Sequence, residues 1–372
     1  MSMDPGRRRY AKLIAALAAL TTAPATFATA TAADPGSKPA TRAANASPRR
    51  SARPLIKPRK LARGAVVGLI APGGVVDDAI IETCVRNLES LGFTVKPGAN
   101  LRAAHGGYAG TVAQRLDDLH HMVADREVQA IWTARGGSGC TALLPHIRYD
   151  LLRRQPKILI GYSDITALHI AIHRHAGIVT FHGPVAWSTF SEYSVRHMLA
   201  VLMEPQREYT IHMAPENAEK AAKEPEYALR TLHPGVAEGR LIGGNLSVLA
   251  ALIGTPYAAD LRNQLLFLED VGEAPYRVDR MLTQLQQSHG LRAAAGVMLG
   301  VFRKSASPVG EPSLTLDEVL DQHFAKLPVP SAYGYSFGHV AQQFTLPVGI
   351  RARLDTSAQT LTLLESAVQP GL

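Results

Sequence analysis

From Ala65 onward, short apolar runs alternate with segments whose apolar residues recur at helical spacing. AVVGLIA (65–71) has the unbroken apolar character of a strand covered on both faces. Asp77 then stands where a helix cap belongs, ahead of Ile81, Val85 and Leu88, and Gly92 stops the segment. FTV (93–95) reads as a second short strand, and Thr111 opens a helix with Val112, Leu116, Leu119 and Val123 along one face. VQAIWTA (128–134), KILIG (157–161) and IVTFHGP (178–184) supply further strands. Strands alternating with helices imply right-handed crossovers and a mostly parallel sheet, whose ligands bind at the strands' carboxyl ends. Three turns rich in glycine or small polar residues lie at those ends: Pro72 to Gly74, Arg135 to Gly139, and Gly161 to Asp164.

The pattern loosens over 186–235, which is polar and proline-containing and reads as an inter-domain connection. A second unit, 236–372, begins with GRLIGGNLSVLAALIGTPY (239–257). QLLFLED (264–270) is a strand ending in two acids, and PYRVDRMLTQLQQSHG (275–290) is an amphipathic helix with Val278, Met281, Leu282 and Leu285 inward. VMLGVF (297–302) reads as a strand and LTLDEVLDQHFAKL (314–327) as a helix; a hairpin is expected around Asp355 to Gln359. With 64–185 as the first unit, the chain has an α/β plan in two domains, and no internal repeat is visible.

Charge changes the picture only at the N-terminus. Residues 1–63 hold 13 Lys/Arg against 2 Asp/Glu, a net of +11, which leaves 26 against 29 and a net of −3 for the rest. The overall +8 therefore implies no polyanion-binding surface on the folded part, and no nucleic-acid partner. Arg7-Arg8-Arg9-Tyr10-Ala11-Lys12 precedes an Ala/Leu-rich stretch and an Ala30-Thr31-Ala32 cleavage site, the composition of an export signal over 1–33. Arg7-Arg8 resembles a twin-arginine signal. Residues 34–63, rich in Ala, Pro, Ser, Arg and Lys, read as a disordered basic tether. The expected location is the periplasm, with no transmembrane segment in the mature protein.

Ser163, at the end of an apolar strand, is either a cap for the following helix or a nucleophile on a strained turn. A serine nucleophile needs a base, an acid to fix the base's tautomer, and N–H groups for the oxyanion. The Asp164 N–H at a helix start is one such donor, and Gly136 or Gly137 in the glycine turn offers a second. Glu269 ends an apolar strand, where a charge must have a reason or meet water. His339 follows Tyr335-Ser336-Phe337-Gly338, again at a strand end. Each has a plain structural alternative: Glu269 could pair with Arg277 or Arg280, and His339 could be a loop histidine. Together they form the order Ser, Glu, His that one type of triad adopts. His169 and His173 lie four apart without an H-E-x-x-H pattern and are read as helix packing, His120 and His121 as a solvated face. Cys84 and Cys140 could be bridged after export, but each falls on an apolar helix position and both are read as free, buried thiols. No phosphate-binding or dinucleotide motif is placed, so no nucleotide cofactor is implied.

The segments VGLIAPGG (67–74), ARGGSG (134–139), IGYSD (160–164), HGP (182–184), LIGGNLSVLAALIGTPY (241–257), LFLEDVGEAPYRVDRMLTQL (266–285) and FGH (337–339) resemble, in order, the LD-carboxypeptidase family. That family comprises serine peptidases, including muropeptide carboxypeptidases and microcin C self-immunity hydrolases. The likeness spans about 64–355. It implies a flavodoxin-like N-terminal domain carrying the nucleophile and a C-terminal domain of swivelling β/α, barrel-like architecture carrying acid and base. By motif position these are Ser163, Glu269 and His339, with no metal or cofactor and usually a homodimer. Two departures stand out: Ser138 occupies a turn position where the family commonly has an aromatic residue, and recycling members are typically cytoplasmic, whereas this chain carries an export signal.

The expected activity is removal of the terminal D-Ala from peptidoglycan tetrapeptides through an acyl-enzyme. Asp164 and Gly137 N–H groups would hold the oxyanion, and Arg135 would either meet the substrate carboxylate or form a structural ion pair. The alternatives are hydrolysis of toxic peptidyl-nucleotide conjugates and a non-catalytic muropeptide-binding protein.

Overall fold

The computed structural model describes residues 54–370, apart from His289, Pro308, Val309 and Glu311. The export signal and the tether as far as residue 53 lie outside the described residues. No helix among the described residues is long and apolar enough to cross a membrane.

Five strands, β1 (Val66–Ile70), β2 (Thr94–Pro97), β3 (Val128–Thr133), β4 (Ile158–Gly161) and β5 (Thr180–His182), form a parallel sheet in the order β5-β4-β3-β1-β2. This is the flavodoxin-like order, with its topological switch between β1 and β3. The glycine turns after those two strands therefore flank the crevice where such sheets bind ligands. Buried β-strand residues such as Val67, Ile131 and Ile160 make the runs continuous rather than alternating, as helices on both faces require. The helix Asp78–Ser90 starts where Asp77 accepts the Ile80 N–H at 2.8 Å and buries Ile81, Cys84 and Leu88. The helix Val112–Ala124 starts with a capping box between Thr111 and Gln114. Trp132 is wholly buried and its Nε1–H donates to the Pro184 carbonyl at 2.8 Å, so its polar atom carries no desolvation cost.

The second sheet has eight strands, completed by β6 (Tyr209–Ile211), β7 (Arg230–His233), β8 (Val236–Asn245), β9 (Gln264–Glu269), β10 (Gly296–Gly300), β11 (Ser331–Tyr335), β13 (Arg351–Asp355) and β14 (Thr360–Leu363). Its centre, β8-β9-β10-β11, is parallel and linked by helices Leu246–Ala251, Pro275–Gln287 and Leu316–Phe324. β13, β14 and β6 extend one side and β7 the other, all antiparallel. This is the mixed β/α unit expected beside the flavodoxin-like one. The hairpin joins β13 and β14, with Gln359 in the left-handed region at φ 55°.

Three features depart from the sequence reading. Residues 186–235 hold the helix Glu192–Met203 and both edge strands of the second sheet; strands of three and four residues are too short to show a period. β12 (Leu346–Val348) returns from the C-terminal part and pairs antiparallel with β5, closing that edge of the first sheet. Residues 54–63, expected as disordered tether, pack as a strap. Ile56 pairs with Gly177 and Val179, Lys60 N–H donates to the Gln369 carbonyl, and Leu61 is 1% exposed. Leu55, Ile56 and Leu61 supply the apolar anchors, and Lys57 pairs with Glu365 at 2.7 Å.

Candidate active site

The strand β4 ends at Gly161, where a Cβ would stand 2.2 Å from Thr133 Oγ1 on β3, so only glycine lets the two strands run side by side to their ends. The chain then turns sharply. Ser163 has φ 65°, the left-handed region, which costs a residue with a side chain about 1–3 kcal/mol. Neither the short turn Ser163–Ile165 nor the helix Thr166–Ala176 begins with a side-chain cap bond, so the hydroxyl is not serving as a helix cap. Its bond goes instead to the other domain: Ser163 Oγ lies 3.2 Å from His339 Nε2.

The other ring nitrogen of His339, Nδ1, is 2.6 Å from Oε2 of Glu269. Glu269 is the last residue of β9 and has no exposed surface. Gly338, at φ 97°, passes so close that a Cβ there would meet Glu269 Oε2 at 2.6 Å. Tyr162, the residue before Ser163, packs edge-on against the imidazole, ring centroids 4.9 Å apart. Burial pushes the Glu269 carboxyl up, but the charge and hydrogen bond of His339 outweigh it and hold the carboxyl below its ordinary value. Burial likewise pulls His339 down, and Glu269 reverses this and raises it. Each partner thus favours the charged form of the other. That is what a base needs when it must become imidazolium beside a serine giving up its proton.

The glycine turn completes the surroundings. A Cβ on Gly136 would stand 2.7 Å from Ser163 Cβ and 3.2 Å from the Asp164 nitrogen, so the absent side chain leaves the space over the hydroxyl. Gly137 packs against Gly74 instead, while the Gly74 N–H donates to the Gly136 carbonyl at 2.8 Å. Asp164 sits in the first helical turn, where N–H groups lack intrahelical acceptors. Its side chain is buried and accepts the Cys140 N–H at 2.9 Å, which ties the Ser163 turn to the end of the glycine turn.

Hydroxyl, imidazole and carboxylate in one relay, supplied by two sheets, coincide with two successive matches to known sequence profiles. The LD-carboxypeptidase N-terminal domain matches residues 67–183 and the LD-carboxypeptidase C-terminal domain matches 238–354. The chain belongs to the LD-carboxypeptidase family. It is a peptidase by that membership. A probable murein peptide carboxypeptidase of Bacillus subtilis is 38% identical over 85% of this chain and 96% of its own length. A murein tetrapeptide carboxypeptidase of Pseudomonas aeruginosa is 36% identical over 78% of this chain and 92% of its own. Among solved structures, MccF in complex with glutamyl sulfamoyl guanosine aligns with a TM-score of 0.76 at 24% identity, over 85% of this chain and all of that one, a likeness of fold.

In this LD-carboxypeptidase family member the remaining sequence candidates fall outside the relay. Arg135 forms no ion pair among the described residues; its Nη1 donates to the Val75 carbonyl at 3.3 Å and its guanidinium covers the half-exposed Trp187 at 5.5 Å. Glu269 pairs with neither Arg277 nor Arg280; Arg277 reaches Glu273 at 3.6 Å. His169 is buried against the Gly161 carbonyl at 2.8 Å, and burial pulls it down to about 3 and His173 to about 4. His120 is half-buried and accepts the Arg148 N–H, so only His121 is a solvated face. Cys84 and Cys140 are free, buried thiols, and burial pushes Cys84 up to about 12. Among the described residues no group of three or more His, Cys, Asp or Glu is placed to hold a metal ion. Sequence reasoning missed Gly338 and Tyr162 as supports of the relay; the residues are legible in FGH and GYSD, but their roles need the second domain in place.

Proposed function

We propose that this chain is a serine carboxypeptidase that removes the terminal D-Ala from peptidoglycan-derived tetrapeptides, acting in the periplasm. The reading rests on the relay Ser163–His339–Glu269, with the serine held at a positive φ and its hydroxyl turned to the base. His339 takes the proton from Ser163 as its oxygen attacks the peptide carbonyl. Glu269 holds the imidazolium, and the N–H groups of Asp164 and Gly137 receive the oxyanion. His339 then protonates the departing amine, and water, deprotonated by the same imidazole, cleaves the acyl-enzyme. The tetrapeptide substrate is favoured by relatives whose names carry murein peptides and tetrapeptides. The test is incubation of purified protein with a murein tetrapeptide and detection of tripeptide and D-Ala by mass. Absence of tripeptide, with turnover of a peptidyl-nucleotide analogue instead, would replace the substrate. Labelling of Ser163 by a fluorophosphonate tests the nucleophile separately.

A further inference from the structure

Beside the relay lies a cleft of about 620 Å³ lined from both domains. The glycine turn Gly137-Ser138-Gly139 and Asp164 form its inner wall, and Ser247, Val248 and Ala251 face them from the second domain. Its lining includes Arg115, from the helix Val112–Ala124, which is 3% exposed. A guanidinium this deeply buried normally meets a carboxylate, because removing the charge from water is otherwise costly. None of the carboxylates among the described residues pairs with it. The hydrogen bonds described for it both leave Nη1, to the carbonyls of Pro72 (2.8 Å) and Gly139 (3.1 Å). Nε is buried without a partner. Tyr108 packs against the guanidinium at 5.2 Å. Asp164, the carboxylate on the inner wall, is engaged by the Cys140 N–H.

Two carbonyls thus fix the guanidinium by one nitrogen, and its Nε/Nη2 edge is the one that grips a carboxylate with two parallel bonds. We propose that Arg115 is a specificity-determining residue that binds a carboxylate of the substrate in this cleft, next to the turn that carries the nucleophile. Resting on the function proposed above, this names the chemistry that selects a peptide acid. In a murein tetrapeptide three groups can supply it: the α-carboxylate of the γ-linked glutamate, the side-chain carboxylate of the diamino acid and the chain-terminal carboxylate.

The experiment compares four ligands: the tetrapeptide, its C-terminal amide, the tetrapeptide with lysine in place of the diamino acid, and the tetrapeptide with isoglutamine in place of glutamate. Each is measured for kcat/KM on wild type, Arg115→Gln, Arg115→Lys and Arg135→Gln. Affinity is measured in parallel by calorimetry on the Ser163→Ala protein, with and without the Arg115 changes. The expected result is that wild type prefers the acid over one of the three neutralised ligands by roughly tenfold or more. Arg115→Gln should bring that ratio close to one, and the ligand concerned identifies the carboxylate. Arg115→Lys, which keeps the charge but not the fork, should lower the ratio too and carries the test if the glutamine variant melts early. Equal losses for all four ligands would make Arg115 a loop brace and overturn the inference, as would a ratio abolished only by Arg135→Gln. The affinity ratios do not depend on turnover. Lost discrimination in an inactive protein would sustain this inference while refuting the hydrolysis; preserved discrimination in an active one would do the reverse.

Discussion

Ser163 Oγ and His339 Nε2 stand 3.2 Å apart although 176 residues separate them in the chain. One lies on the first sheet's strand ends and the other follows β11 of the second, so the relay exists only when the two sheets are docked. Ser163→Ala and His339→Ala should each lower turnover by several powers of ten, and the double variant should be little worse, because both belong to one proton-transfer unit. Turnover of the singles and the double, each checked for folding, decides this. Losses that multiply, or near-normal turnover in either single variant, would break the assignment.

The same pair sets a pH dependence. His339 must be neutral to accept the serine proton, and Glu269 raises its pKa against the pull of burial. The acid limb of kcat/KM should therefore fall above the ordinary imidazole value of about 6.5. Glu269→Gln removes the charge that stabilises the imidazolium, so the limb should move to lower pH while the plateau drops by roughly four powers of ten. An unmoved limb would mean that the titration belongs to another group.

Gly338→Ala probes the close passage of the backbone over Glu269. A Cβ at 2.6 Å from Oε2, on a residue at φ 97°, must displace either the carboxylate or the loop that carries His339. Turnover should collapse together with a stability loss of about 1–3 kcal/mol, read by thermal melting beside activity. A variant with full activity would show that the loop tolerates the shift.

Chelation offers a further test. In the proposed mechanism the proton passes from side chain to side chain, so a strong chelator should leave tetrapeptide hydrolysis intact. Activity lost on chelation and restored by zinc would remove the serine mechanism.

Export to the periplasm rests on the sequence of the first 33 residues. Replacing Arg7 and Arg8 by Lys should leave precursor in the cytoplasm if the twin-arginine route is used. Fractionation with the N-terminus read by mass measures this, and unchanged export would point to the general route.

Much of this was legible because the relevant residues interrupt apolar runs. Ser163, Glu269 and His339 each follow or end a strand-like stretch, and a polar residue in that position needs a partner. The parallel sense of the first sheet likewise follows from strands alternating with helices, whereas its flavodoxin-like order was implied only by the family resemblance. What escaped lies where local pattern carries no information. β6 and β7 are too short to show a period, and Ile56 and Leu61 sit in a basic, proline-containing stretch whose composition argues against structure. Arg115 reads as one more charged residue on an amphipathic helix, yet the turns at Pro72 and Gly139 cover it completely enough to leave 3% exposed. Only tertiary placement distinguishes such an arginine from a solvated one.

β12, which closes the first sheet against β5, begins at Leu346, shortly after His339. Seating that strand seals the β5 edge, and the segment just before it carries the imidazole that meets Ser163. A chain still emerging from the ribosome, or one cut before residue 346, keeps a bare sheet edge, the kind of surface that pairs with other chains. Truncation at this point should yield aggregates rather than a weakened hydrolase, which size-exclusion of the cut chain would show.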